Sequence, residues 1–153
     1  MYCPRVTSTG RTDGWQTVSD GDFKGWLTWV GDPYEDMLGP FYFRTEKDGT
    51  TRGAFVPEDR HANGGGIVHG GALMSFADTM LGALAYIGLN GQLVVTVTFN
   101  CEFVGAGVAG TPIHATGHIV RDTKSMVFVR AELEQNAQPI LTFSSVAKKI
   151  TPR

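Results

Sequence analysis

The stretch Ala72–Ile87 constrains the fold more than any other part of the chain. It is built mainly from Ala, Leu, Met and Phe, contains no proline, and carries one charged side chain, Asp78. Such a run predicts a helix of about four turns. A helix apolar all round is expected to be buried on every side. Ser75, Asp78 and Thr79 interrupt it, so it reads as too short and too polar to span a bilayer. Gly88-Leu89-Asn90-Gly91 supplies its C-terminal cap. A carboxylate is costly to bury unpaired. Asp78 is therefore either a functional group or a residue at an exposed helix end or paired with a distant arginine.

The flanking sequence predicts β-structure. Residues 1–20, rich in Thr, Ser, Gly and Asp, read as a flexible arm ahead of a single domain over residues 21–153. Asp22–Val30 predicts a short amphipathic helix, with Asp22 as N-cap and Phe23, Trp26, Leu27 and Val30 on one face. Gly31-Asp32-Pro33 then ends it. Phe41–Glu46 and Thr51–Val56 form a hairpin about Lys47-Asp48-Gly49. After the long helix, Leu93–Val104, Thr111–Val120, Ser125–Gln135 and Pro139–Ile150 are four strands rich in Val, Thr and Phe. Four strands in a row favour an antiparallel meander. The expected architecture is α+β: a six-stranded antiparallel sheet wrapped around the long helix, with an extra short N-terminal helix.

Composition removes several functional classes. At 153 residues the chain suits one domain with its own core. Charged residues make up 18%, below the usual ~25%, which points to extra buried surface such as a subunit interface. A net charge of -2 gives no electrostatic footprint for nucleic acid or an anionic membrane. The two cysteines, Cys3 and Cys101, suit neither a disulfide scaffold nor a zinc site. Met1–Asp20 holds no signal-peptide core, so the expected location is cytoplasmic.

The loop before the helix is the second feature that carries chemistry. Gly64–Gly71 is glycine-rich and feeds a helix N-terminus, where free backbone N–H groups favour negative charge. No Gly-Lys-Ser/Thr follows, so it is not a phosphate-binding P-loop. Gly70 and Asp78 lie eight positions apart, about 12 Å along one helix at ~1.5 Å per residue. Two groups acting on one carbon need to lie within roughly 3–3.5 Å of it. If both act on one carbon, they come from different copies of the chain, related by a two-fold axis.

The run Asn63-Gly-Gly-Gly-Ile-Val-His69-Gly70-Gly71, followed by Asp78 seven residues later, resembles the signature of the hotdog-fold acyl-CoA thioesterases, most closely the phenylacetyl-CoA-thioesterase-like group within the 4-hydroxybenzoyl-CoA thioesterase superfamily. The likeness extends over the β-β-helix-β-β-β-β order from about Phe41 to Ile150. It implies an acyl-CoA substrate at a dimer interface, often in a dimer of dimers, hydrolysed to free acid and coenzyme A. No metal and no organic cofactor is implied, coenzyme A being part of the substrate. By this resemblance the Gly70 N–H holds the thioester oxygen, and Asp78 of the other subunit is general base or nucleophile. Asn63 orients water or thioester, and Thr96 positions the water beside the carboxylate. His69 and Gly71 shape the substrate loop. Lys124 and Ser125 are the best candidates for coenzyme A contacts, with Arg121, Lys148 and Lys149 as further cations at strand ends.

The remaining candidates read as structural. His114 and His118 share a strand face but lack a third metal ligand. His61 belongs to a loop, and Cys101 is a packed core residue. Trp15, Trp26, Trp29 and Met37 either line an acyl pocket or pack the N-terminal element on the sheet. Two rival functions use the same fold: hydration or dehydration of an acyl thioester through His69 and Asp78, and non-catalytic acyl-CoA binding.

Overall fold

The apolar stretch forms one long helix, α2, over Gly70–Gly88 in a computed structural model that describes residues 14–151. Before it come strands β1 (Gly14–Thr17) and β2 (Leu27–Val30), the short helix α1 (Pro33–Leu38), and strands β3 (Phe41–Thr45) and β4 (Thr51–Phe55). After it come β5 (Leu93–Phe103), β6 (Ile113–Asp122), β7 (Met126–Gln135) and β8 (Gln138–Ile150). One antiparallel sheet of order β1-β2-β3-β4-β6-β7-β8-β5 curls around α2, which touches every strand from β3 to β8. Phe43, Phe55, Ile113, Val127, Val129, Leu133 and Leu141 meet Phe76, Met80 and Leu81 in one core. The sheet closes tightly on the helix at Gly53, where an added Cβ would lie 3.1 Å from Met80 and 3.2 Å from Phe76.

The sheet has eight strands rather than six, because the N-terminal segment is not helical. Leu27–Val30 pairs with Gly14–Thr17, so the expected helix over Asp22–Val30 is a strand and a turn. The reason lies in its side chains: burial alternates from Trp26 to Val30 with period two, and β-branched and aromatic residues suit a pleated surface. Gly21 and Gly25 take positive φ (72° and 86°) in the connection, a turn geometry open to glycine. Residues 14–20 of the expected arm thus belong to this hairpin, while 1–13 lie outside the described residues. Gly31-Asp32-Pro33 does not end a helix but starts one. Asp32 caps α1, its Oδ1 accepting from the N–H groups of Tyr34 (3.0 Å) and Glu35 (3.2 Å), with Pro33 in the first turn.

The strands after α2 are antiparallel, but they do not form a simple four-strand meander. β5 pairs with β8 at the sheet edge, and β6 pairs with β4, closing the sheet between the two halves. Asn136 and Ala137, both at positive φ (54° and 59°), make the tight β7–β8 turn. With Gly70, Gly71 and Gly88 included, α2 is long and apolar enough to cross a bilayer by length and composition only, a test that a core helix wrapped by a sheet also passes. Half of that helix is buried inside the sheet. His61, expected in a loop, sits in a short 3-10 helix (Asp59–His61), buried against Phe55.

Candidate active site

The helix α2 is not buried on every side. Gly71, Met74 and Asp78 are exposed and Ser75, Thr79 and Gly82 half-buried, a stripe recurring every three or four residues. Asp78 therefore faces out of the single chain rather than into its core. Its Oδ1 accepts a hydrogen bond of 2.7 Å from the Thr96 hydroxyl on β5. A bulge aims that hydroxyl: between Thr96 and Thr98 the β5–β8 register shifts at Val97, and the Ser145 hydroxyl on β8 donates to the Thr98 carbonyl at 2.6 Å. Sequence reasoning did not find Ser145, since no local pattern marks a bulge partner.

The start of α2 is arranged around its backbone N–H groups. His69 is the N-cap, and its Nδ1 accepts from the Gly71 N–H at 2.8 Å. The Gly70 N–H has no acceptor among the described residues. The half-exposed Phe103 ring stands over Gly70, where an added Cβ would lie 3.0 Å from it. Asn63 builds the loop itself: its Oδ1 accepts from the Gly65 N–H at 2.8 Å and its N–H donates to the Ile67 carbonyl. Asn63, His69, Gly70 and Gly71 are thus gathered at one end of α2, and Asp78 with Thr96 two turns along it.

Two cavities, of about 240 and 410 Å³, meet at Asp78. Trp15, Trp29 and Tyr86 line the smaller one, with Trp15 edge-on to Trp29 and tilted on Tyr86. Met74, Ser75 and Phe99 line the larger. Of the four candidates considered for an acyl pocket, Trp15 and Trp29 lie here. Trp26 is buried under Arg44, and Met37 is exposed on α1. Lys124 and Ser125, in the β6–β7 turn, line neither cavity, and Lys149 is paired with Asp122 at 2.5 Å.

Glu35 of α1 shares both cavities with Asp78, and sequence reasoning missed it. Burial pushes its carboxyl up to about 7, with the Asp32, Asp78 and Asp36 charges adding and a hydrogen bond from Thr79 opposing. The Thr79 hydroxyl lies 3.0 Å from both Glu35 Oε1 and the Ser75 carbonyl. Thr79 is the donor in both contacts, its hydroxyl shared between the Glu35 carboxylate and the carbonyl one turn back on α2. Arg60 holds this helix from outside, donating to the carbonyls of Met37 and Gly39.

A carboxyl raised in the folded state binds more protons folded than unfolded, so stability falls as pH rises from about 4.5 to about 7. Allowing for solvent screening, the loss is on the order of 1–2 kcal/mol. Glu35→Gln removes it: the variant matches the parent at about pH 4 in urea unfolding and exceeds it at about pH 8. Equal pH dependence in the two proteins would overturn the assignment.

The other candidates stay apart from this site. Burial lowers the His114 pKa, and His114 and His118 belong to no group of three metal-ligating side chains among the described residues. Burial, with Glu102 adding, raises the Cys101 thiol.

A model of the thioesterase superfamily matches residues 65–140, the stretch from the glycine loop through α2 to β8. The chain is 30% identical over 115 residues to a protein of Pseudomonas aeruginosa named Putative esterase PA0474, covering 74% of this chain and 86% of that one. Among solved structures it resembles the PaaI protein of the phenylacetic acid degradation operon of Escherichia coli, with TM-score 0.69, 21% identity, and 79% and 86% coverage. It also resembles a hypothetical thioesterase of Streptococcus pneumoniae solved with coenzyme A, with TM-score 0.64, 16% identity, and 74% and 90% coverage.

Proposed function

The chain belongs to the thioesterase superfamily and is a thioester hydrolase, and we propose that its substrate is an acyl-CoA, cleaved between two subunits by Asp78 of one and the Gly70 N–H of the other. The observation that carries this reading is the Asp78 carboxylate itself. It stands on the open stripe of α2 at the junction of two cavities, with one oxygen fixed by Thr96 and the other without a partner among the described residues.

The chemistry follows from that placement. On the base route, Asp78 takes a proton from water as the water oxygen attacks the thioester carbon. The carbonyl π pair moves onto oxygen, where the Gly70 N–H at the helix start receives it. Collapse expels the coenzyme A thiolate, which takes the proton from Asp78. On the nucleophile route, Asp78 attacks the carbon itself, the thiolate leaves, and water cleaves the resulting anhydride. Coenzyme A enters only as part of the substrate.

A second copy of the chain is part of the proposal. Gly70 and Asp78 sit about 12 Å apart on one helix at ~1.5 Å per residue, too far to share a carbon. The open stripe of α2 and the β5 edge, with Val95 (47%) and Val97 (52%) exposed, offer a two-fold partner both a helix face and a strand to pair with.

The test is thiol release from a panel of saturated acyl-CoA thioesters, with gel filtration at assay concentration. Hydrolysis by a dimer or larger assembly is expected. Binding of acyl-CoA without thiol release would make the protein a binder, and activity in a folded monomer would overturn the shared site.

A further inference from the structure

We propose that Gly82 sets the size of the acyl group, by leaving open the cavity between α2 and the aromatic wall of Trp15, Trp29 and Tyr86; this rests on the thioesterase reading above. Glycine in a helix interior is unfavourable relative to alanine, so a glycine there wants a reason. None is found among the described residues. The φ of Gly82 is not in the left-handed region, and a Cβ built on it meets nothing within 4 Å. Gly53 and Gly117, by contrast, face neighbours at 3.1 and 2.4 Å.

What Gly82 does face is space. It lies one helical turn beyond Asp78 on the same stripe and lines the 240 Å³ cavity that Asp78 borders. A space of about 150 Å³ suffices to hold a benzene ring; this one is open to solvent, with Trp15, Trp29 and Tyr86 on its apolar side and Asp32, Glu35 and Asp78 on its polar side. The volume here admits a ring or a branched or medium chain beyond the carbonyl. The far wall comes from β1 and β2, and the near wall is the helix itself. A side chain at position 82 would project into the room the acyl group needs.

The experiment compares the parent with Gly82→Ala and Gly82→Leu. Thiol release is measured from acetyl-, butyryl-, octanoyl- and benzoyl-CoA. Binding of the matching S-alkyl-CoA thioethers, which cannot be hydrolysed, is measured by calorimetry, and assembly by sedimentation. The parent should accept the larger groups. Gly82→Ala should melt higher than the parent and keep acetyl-CoA kcat/KM within twofold. Gly82→Leu should lose at least tenfold on octanoyl- and benzoyl-CoA, with thioether affinity falling in the same order.

Equal losses on all four substrates, an unchanged profile, or a parent confined to acetyl-CoA would each overturn the proposal. So would dissociation of the Gly82→Ala assembly, which would make the glycine a point of close helix approach between subunits. If the parent releases no thiol at all, the hydrolysis reading fails by itself. The thioether series then decides the pocket: a size cut-off that moves with the residue at position 82 upholds it, and one that does not move overturns it.

Discussion

Asp78→Asn lowers kcat by at least ~100-fold, the scale expected on losing a catalytic base, and leaves the fold in place. Asparagine keeps the shape and can still accept from the Thr96 hydroxyl, so the 2.7 Å contact survives. What it loses is the ability to take a proton or to attack carbon, which is the capacity both routes require. The fold tolerates the change because Asp78 lies outside the core: its neighbours in the helix, Phe76, Ala77, Met80 and Leu81, carry the packing. A Thr96→Val variant separates positioning from chemistry. It leaves the carboxylate but frees it to rotate, so kcat should fall by less than in Asp78→Asn, and adding the hydroxyl back as Thr96→Ser should recover most of it. The measurement is steady-state kcat on the best acyl-CoA, with unfolding in urea as the control for structure. Near-parental turnover by Asp78→Asn would remove Asp78 from the mechanism.

The central helix and its following strands were legible because single residues dominate their local preferences. A proline-free run of Ala, Leu and Met has few alternatives to helix, and alternating Val and Thr over ten residues has few alternatives to strand. The N-terminal segment was misread because Phe23, Trp26, Leu27 and Val30 fit a helical face while Trp26, Thr28 and Val30 equally fit one side of a strand. Over so short a stretch the two periods are not distinguishable, and pairing with Gly14–Thr17 decided between them. A usable signal lay beside it. Asp32-Pro33-Tyr34-Glu35 has the N-cap residue, the first-turn proline and the acidic third position of a helix start. Reading it that way would have brought α1, and with it Glu35, into view. That Glu35 reaches Thr79, 44 residues away, was beyond any local pattern. The outward face of Asp78 was equally hidden, since composition reports that a helix is apolar but not which of its sides the sheet leaves open.

Gly70→Pro is expected to cost about 10²–10³ in kcat, the usual scale for removing one oxyanion donor, and it removes little else. Gly70 is the first residue of α2, where proline's fixed φ is accommodated and its missing N–H breaks no helical bond. The preceding residue is already suited to it: His69 sits at φ -62° and ψ 135°, the extended region that a following proline demands. The Gly70 N–H has no protein acceptor among the described residues, so its loss leaves no carbonyl stranded. The Phe103 ring above it is half exposed and can turn aside. Combining this variant with Asp78→Asn tests whether the two groups meet across subunits. Each variant alone spoils both sites of a dimer. In a mixed dimer, one site holds both lesions and the other holds neither. Co-refolding equal amounts makes about half of all dimers mixed if pairing is random, so about a quarter of parental sites should return. The measurement is kcat per chain after co-refolding, against each variant refolded alone, with differently tagged chains to count the mixed dimers. Recovery that scales with the mixed fraction places the carboxylate and the N–H on opposite chains. Mixed dimers whose activity is only the mean of the two variants would put both groups in one chain, and the distance between Gly70 and Asp78 along α2 would then have to be bridged by some other donor.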